Sequence, residues 1–225
     1  MKFWVVGSGA AKIFDRLDER GFIVTHKRPD FVITYGGDGT ILKAERDFPS
    51  VPKIPIKKSI ICSKCMNYDL NSLDKILDKI EKKDYDITSY EKTEANFKGS
   101  TLTALNEIQV RNKKPYMALR FAIKTADRNF EKIVGDGAVF STPYGSTAYY
   151  NKLGYEPFNE GMRIGFNNSN PKPNAVRLKG IAKVTVLREQ GLLIADNNPD
   201  MISLQPGDIV KIMESAKKAK FVEIL

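Results

Sequence analysis

Apolar and polar positions follow one rhythm before about Asp84 and another after it. In the first stretch, compact apolar runs alternate with helical spacing. Lys2–Val6 reads as a buried strand, and Ala10–Arg20 carries Ile13, Phe14 and Leu17 on one helical face before Gly21. Phe22–Thr25 and Phe31–Tyr35 (FVITY) read as strands, the second running into the Gly-rich turn Gly36–Thr40 and a helix beginning near Ile41. Val51–Cys62, broken by Pro52 and Pro55, reads as a loop feeding a strand. Asn71–Lys83 puts Leu73, Ile76, Leu77 and Ile80 on one face of a helix. Strand–helix alternation predicts a Rossmann-like parallel sheet covered by helices.

After Asp84 the runs are short and punctuated by Gly, Pro and Asn. Tyr85–Tyr90, Leu102–Val110, Met117–Thr125, Val134–Thr142, Lys183–Leu187 and Ile209–Met213 read as strands, with a helix near Ser146–Lys152. The expected fold is an α/β N-terminal domain over 1–84, then a mainly β domain of packed sheets over 85–225. The C-terminal tail is free to return to the first domain. No low-complexity linker separates the two.

Composition narrows the function classes. The 36 Lys and Arg against 27 Asp and Glu give a net charge of +9, which suits an anionic partner. The lysine pairs Lys57-Lys58, Lys113-Lys114 and Lys217-Lys218 lack the interleaved aromatics of an RNA-binding face, so no nucleic-acid partner is expected. No apolar run has the roughly 18–20 residues of a membrane-crossing helix, and the start lacks a signal-peptide core. A cytoplasmic protein without a membrane partner is the expectation. Cys62 and Cys65 form one CxxC, and the only histidine, His26, lies far upstream, so a four-ligand zinc site is not expected. The pair reads as two ordinary reduced cysteines rather than a redox motif.

Three motifs carry candidate chemistry. Gly36, Gly37, Gly39 and Thr40 surround Asp38 between a strand and a helix, where backbone N–H groups and a helix N-terminus attract phosphate. A carboxylate repels phosphate, so Asp38 makes sense as a metal ligand or as a base for an attacking hydroxyl; the alternative is a tight turn with Asp38 as helix cap. Gly7-Ser8-Gly9 lacks the third glycine of a dinucleotide fingerprint and reads as an ordinary turn, with Lys12 adding charge. Asn106-Glu107 is a polar pair in the apolar run LNEIQV, suited to reading neighbouring hydroxyls or an amino group, unless alternation turns one outward. Gly135-Asp136-Gly137 and then Ser141–Tyr149 (STPYGSTAY) run from a strand through a Pro/Gly turn into a helix that Ser146 or Thr147 is placed to cap.

In this order, GGDGT, the Asn-Glu pair and the GDG…STPYGSTAY block resemble the NAD kinases, which phosphorylate the 2′-hydroxyl of the adenosine ribose of NAD. GGDGT alone is shared with diacylglycerol kinases, sphingosine kinases and phosphofructokinases; the Gly135–Tyr149 block discriminates. The resemblance implies an α/β domain followed by a β-rich one. It implies Asp38 as general base with Gly39 beside it, Asn106 and Glu107 on hydroxyls of NAD, and Asp136 at the nicotinamide end. Thr147, Ala148 and Tyr149 would line the adenine pocket, with Tyr150, Asn151 and Lys152 close by, and Asp196 matches a late acidic residue. It further implies ATP or polyphosphate as donor, Mg²⁺ or another divalent cation with no ligands assigned, and a homodimer or homotetramer. Tyr144, where the family has a small hydroxyl residue, and Asn197-Asn198, in place of Asp-Gly, depart from the pattern. These departures leave a non-catalytic NAD(P)-binding sensor open, and the shared GGDGT motif leaves open a lipid or sphingoid kinase of the GGDGT group.

Overall fold

The structure, a computed structural model, describes residues 1–58, 62, 64, 65, 68–170 and 172–225. The chain forms two units, Met1–Tyr90 with Lys218–Leu225, and Glu91–Lys217. In the first, the strands are β1 (Lys2–Val6), β2 (Ile23–Val24), β3 (Phe31–Gly36), β4 (Lys53–Lys57) and β5 (Tyr85–Tyr90), and the helices are α1 (Ala11–Glu19), α2 (Asp38–Asp47) and α3 (Leu73–Glu81). The last residues of the expected Val51–Cys62 loop-and-strand, 59–61, lie outside the described residues. The sheet order is β2-β1-β3-β4, all parallel, then the C-terminal strand Ala219–Ile224, parallel to β4 and antiparallel to β5.

Side-chain alternation along β1 and β3 sorts two faces. Phe3, Val5, Phe31 and Ile33 pack with Ile13 and Leu17 of α1 and with Leu73, Ile76, Leu77 and Ile80 of α3. Val6 and Val32, on the other face, pack with Ala44 of α2. A charged pair sits inside this unit. Lys53 at the start of β4 is fully buried and pairs with Glu45 of α2, while its ammonium also donates to the Phe48 carbonyl at 2.7 Å. The hydrophobic pattern gave no sign of it.

The second unit stacks two six-stranded antiparallel sheets. Its strands are β6 (Thr93–Phe97), β7 (Ser100–Ala104), β8 (Glu107–Asn112), β9 (Leu119–Lys124), β10 (Asn129–Gly135), β11 (Gly137–Ser141), β12 (Met162–Asn167), β13 (Val176–Leu178), β14 (Ala182–Arg188), β15 (Gly191–Ala195), β16 (Ile202–Leu204) and β17 (Ile209–Glu214); the C-terminal strand is β18. One sheet runs β10-β9-β14-β17-β6-β7 and the other β13-β12-β11-β8-β15-β16. Inward residues of both, such as Phe121, Ile123, Val184 and Ile212 from one and Ile108, Val110, Phe140 and Ile164 from the other, make a single core.

Two expected strands are each broken in two. Leu102–Val110 ends β7 in one sheet at Ala104 and starts β8 in the other at Glu107. Val134–Thr142 likewise ends β10 at Gly135 and starts β11 at Gly137. The chain changes sheets at Leu105-Asn106 and again at Asp136. Both breaks fall at polar interruptions, Asn106-Glu107 and Asp136, but the residues on either side face one core, so periodicity alone could not show that the chain changes sheets there.

Candidate functional site

In the first unit, β3 ends at Gly36 and α2 starts at Asp38. Gly37 is the N-cap in an extended conformation, and no side chain caps the helix, so Asp38 does not act as the cap. Its carboxylate lies in the first turn, where the helix dipole favours negative charge. Oδ1 accepts the backbone N–H of Lys64 at 2.9 Å, and Cys62 Sγ lies 3.0 Å from the same oxygen. Cys62 and Cys65 are joined in a disulfide, which corrects the reading of two ordinary reduced cysteines. Burial lowers the Lys64 ammonium from its ordinary value, and the Asp38 charge opposes the shift. The Gly7-Ser8-Gly9 turn is met by Lys58 rather than Lys12, whose ammonium donates to the Ser8 carbonyl at 2.7 Å and the Ser8 hydroxyl at 3.1 Å.

In the second unit, the sheet change at Leu105-Asn106 is tied down from two sides. Asp196, one residue past β15, accepts the backbone N–H groups of Leu105 at 2.7 Å, Asn106 at 2.8 Å and Glu107 at 3.1 Å. It does so at φ +48°, a left-handed conformation that Asp tolerates. Thr142, one residue past β11, donates its hydroxyl to the Leu105 carbonyl at 2.6 Å and its N–H to the Asn106 carbonyl at 2.9 Å. Gly145 closes the far side, since a Cβ there would sit 2.1 Å from the Asn106 carbonyl oxygen. Glycine is required at 145 for this close approach.

This frame presents the Asn106 and Glu107 side chains, which are 8% and 5% exposed. Gln109 donates to Glu107 Oε1 at 3.2 Å. Glu107 Oε2 and Asn106 Oδ1 are buried and have no hydrogen-bond partner among the described residues. Buried oxygens without partners, on two neighbouring residues at a strand entrance, are what a polar ligand would satisfy. Burial pushes the Glu107 carboxyl up to about 8, helped by the Asp196 charge and opposed by Gln109. Burial also raises Asp196, to about 6, against the three backbone N–H groups and Lys92, which lower it. Near neutral pH Glu107 is therefore mostly a neutral acid, able to donate as well as accept.

No family model matches the chain. Over 155 residues it is 37% identical to the NAD kinase of Streptococcus mutans, an alignment covering 64% of this chain and 54% of that protein. Over 218 residues it is 29% identical to the NAD kinase of Methanosarcina mazei, covering 87% and 70%. A crystal structure of an NAD kinase from Archaeoglobus fulgidus in complex with ATP shares the fold with a TM-score of 0.81 at 21% identity, covering 98% of this chain and 93% of that one. In sequence and in fold the chain is similar to NAD kinases. It spans a little over half the length of its streptococcal NAD kinase relatives, 54% and 60% for the first two.

The remaining candidate residues are distributed unevenly. The expected helix near Ser146–Lys152 is a 3-10 turn, Tyr144–Thr147, followed by α4 (Tyr149–Lys152), with a break at Ala148. Ser146 does not cap the helix; its hydroxyl donates to the Pro143 carbonyl at 2.7 Å, with the Phe158 carbonyl 3.1 Å away. Thr147 and Lys152 are exposed, and Ala148, Tyr149 and Asn151 half-buried. The Tyr149 hydroxyl accepts from Asn167 at 3.2 Å, and Asn151 donates to the Tyr155 carbonyl at 3.1 Å. Tyr150, expected beside the adenine pocket, is 0% exposed and packs against Tyr155 and Phe158 instead, because α4 turns it into the core.

Asp136 sits at the other sheet change, at the opposite end of β11 from Thr142. It accepts from Asn112 and Asn168, both at 3.2 Å. Six residues of extended chain, about 20 Å, separate it along the strand from the Asn106 locus. The second unit therefore gathers Asn106, Glu107 and Gly145 with Asp196, and keeps Asp136 apart from them. Thr142 and Gln109 are the members that no spacing rule singled out.

Proposed function

We propose that this chain transfers a phosphoryl group from ATP to the 2′-hydroxyl of the adenosine ribose of NAD, giving NADP. Similarity to NAD kinases supports the reaction class, and the buried, partnerless side-chain oxygens of Asn106 and Glu107 are the observation in this chain that carries the reading. In this reading Asn106 and Glu107 take hydroxyls of NAD. Thr147, Ala148, Tyr149, Asn151 and Lys152 lie along the adenosine, and Asp136 takes the nicotinamide end. Tyr150 supports that segment from inside rather than touching ligand.

Asp38 is the general base. It accepts the ribose hydroxyl proton while the hydroxyl oxygen bonds to the terminal phosphorus and the bond to the leaving ADP oxygen breaks. Gly36, Gly37, Gly39 and Thr40 hold phosphate oxygens at the start of α2. Bound Mg²⁺ would neutralise phosphate charge. The carboxylate of Asp38 suits such a hard cation, while disulfide sulfurs do not, so most of its ligands would come from the phosphates.

A cytoplasmic homodimer or homotetramer completes the reading, and gel filtration against light scattering tests the assembly. No described helix is long and apolar enough to cross a membrane, and neither the lipid-kinase nor the sensor alternative gains support from the relatives. The deciding experiment is NADP formation from NAD with Mg²⁺, run in parallel with ATP and with inorganic polyphosphate. Product with ATP establishes the reaction; product with polyphosphate alone changes the donor. NAD binding without product from either donor would restore the sensor.

A further inference from the structure

We propose that Cys62 and Cys65 are a reversible redox site acting on Asp38, with the disulfide permitting phosphoryl transfer and the dithiol restraining it. The inference rests on Asp38 being the base. The Cys62 sulfur lies 3.0 Å from Asp38 Oδ1, the oxygen that also accepts the Lys64 N–H. The carboxylate and both sulfurs cluster within 4.8 Å, and neither cysteine is fully buried, so a small dithiol can reach them.

In the disulfide, the Cys62 sulfur has no proton, so its short approach to the carboxylate offers no hydrogen bond. Reduction by a dithiol moves two electrons and two protons onto the pair. The S–S bond breaks, two thiols form, and the reductant leaves as its own disulfide. At the 3.0 Å separation seen here, the Cys62 S–H of the dithiol donates to Asp38 Oδ1. The same oxygen then carries two donors, the Lys64 N–H and the Cys62 S–H, and competes less well for the ribose hydroxyl proton. A CxxC disulfide in a reducing compartment is typically transient and redox-sensing, which fits a site of this kind.

Two readouts test it. NADP formation is followed in the fully oxidised and fully reduced protein, with free thiols counted in each. The expected result is a kcat roughly tenfold lower when reduced, with NAD affinity unchanged, and no redox dependence in Cys62→Ala/Cys65→Ala. The second readout is the infrared S–H stretch of the reduced protein, which needs no turnover. It should be lowered by hydrogen bonding and rise in Asp38→Asn. An equal or higher kcat in the reduced form overturns the proposal, as does an S–H stretch indifferent to Asp38→Asn. If the stretch responds but neither form makes NADP, the kinase reading falls, and the control of its rate falls with it. If NADP forms at equal rates, only the redox inference falls.

Discussion

Asp196 holds Asn106 in place by accepting its backbone N–H at 2.8 Å, across 90 residues of chain. The same carboxylate takes the N–H groups of Leu105 and Glu107 on either side. A turn between two sheets leaves donors that neither sheet can pair, and one buried carboxylate satisfies three of them. Asp196→Ala should orphan all three and cost about 3 kcal/mol. Urea unfolding would measure it, and a loss of NAD affinity should accompany it. A variant as stable as the parent would show that the turn holds itself.

The pH dependence of stability follows from the same two carboxyls. Asp196 is raised from 3.8 to about 6, and Glu107 from 4.5 to about 8. A carboxyl raised on folding adds stability in its protonated form. That contribution is complete below the unfolded value and is lost as pH rises through the folded one. Stability should therefore fall between about pH 4 and 8, through both carboxyls up to about 6 and through Glu107 alone from there to about 8. Glu107→Gln should remove the upper step. Urea midpoints at three pH values read this directly, and a flat upper limb in the parent would contradict it.

Asp38→Asn should lower kcat by at least about 100-fold, because the amide cannot take the ribose proton. NAD binding measured by calorimetry should persist. An undiminished rate would remove the role assigned to Asp38.

Gly145→Ala places a methyl 2.1 Å from the Asn106 carbonyl oxygen and 2.5 Å from its carbon. Backbone must move, at a cost of about 1–3 kcal/mol. The displaced Asn106 should weaken NAD binding more than the stability loss alone explains, which calorimetry at a temperature well below unfolding would show.

Lys53→Met should destabilise by about 3–5 kcal/mol, since it leaves the Glu45 carboxylate buried without its cation. Adding Glu45→Leu should restore much of the loss. A single variant that unfolds at the parent midpoint would show that water reaches the pair.

Local chemistry was legible where a property is carried by neighbours in sequence. Leu73, Ile76, Leu77 and Ile80 announced α3 because a 3.6-residue period puts them on one face. GGDGT announced a strand-to-helix turn, and the order of three motifs announced the family. The Asn106-Glu107 pair stood out as polar in an apolar run, and its burial followed.

What the sequence alone determined is thus the two textures of the chain, the acids and amides proposed to carry the chemistry, and the family resemblance. Tertiary structure decided where strands break, since Leu105-Asn106 and Asp136 lie at crossings between two sheets that share one core. It decided that Asp196 supports Asn106, that Tyr150 faces inward, that Lys53 meets Glu45, and that the cysteines join beside Asp38. Each of these depends on pairing between segments far apart along the chain. Periodicity reports only which face of a segment is apolar, and it carries no record of which distant donor or charge will meet it.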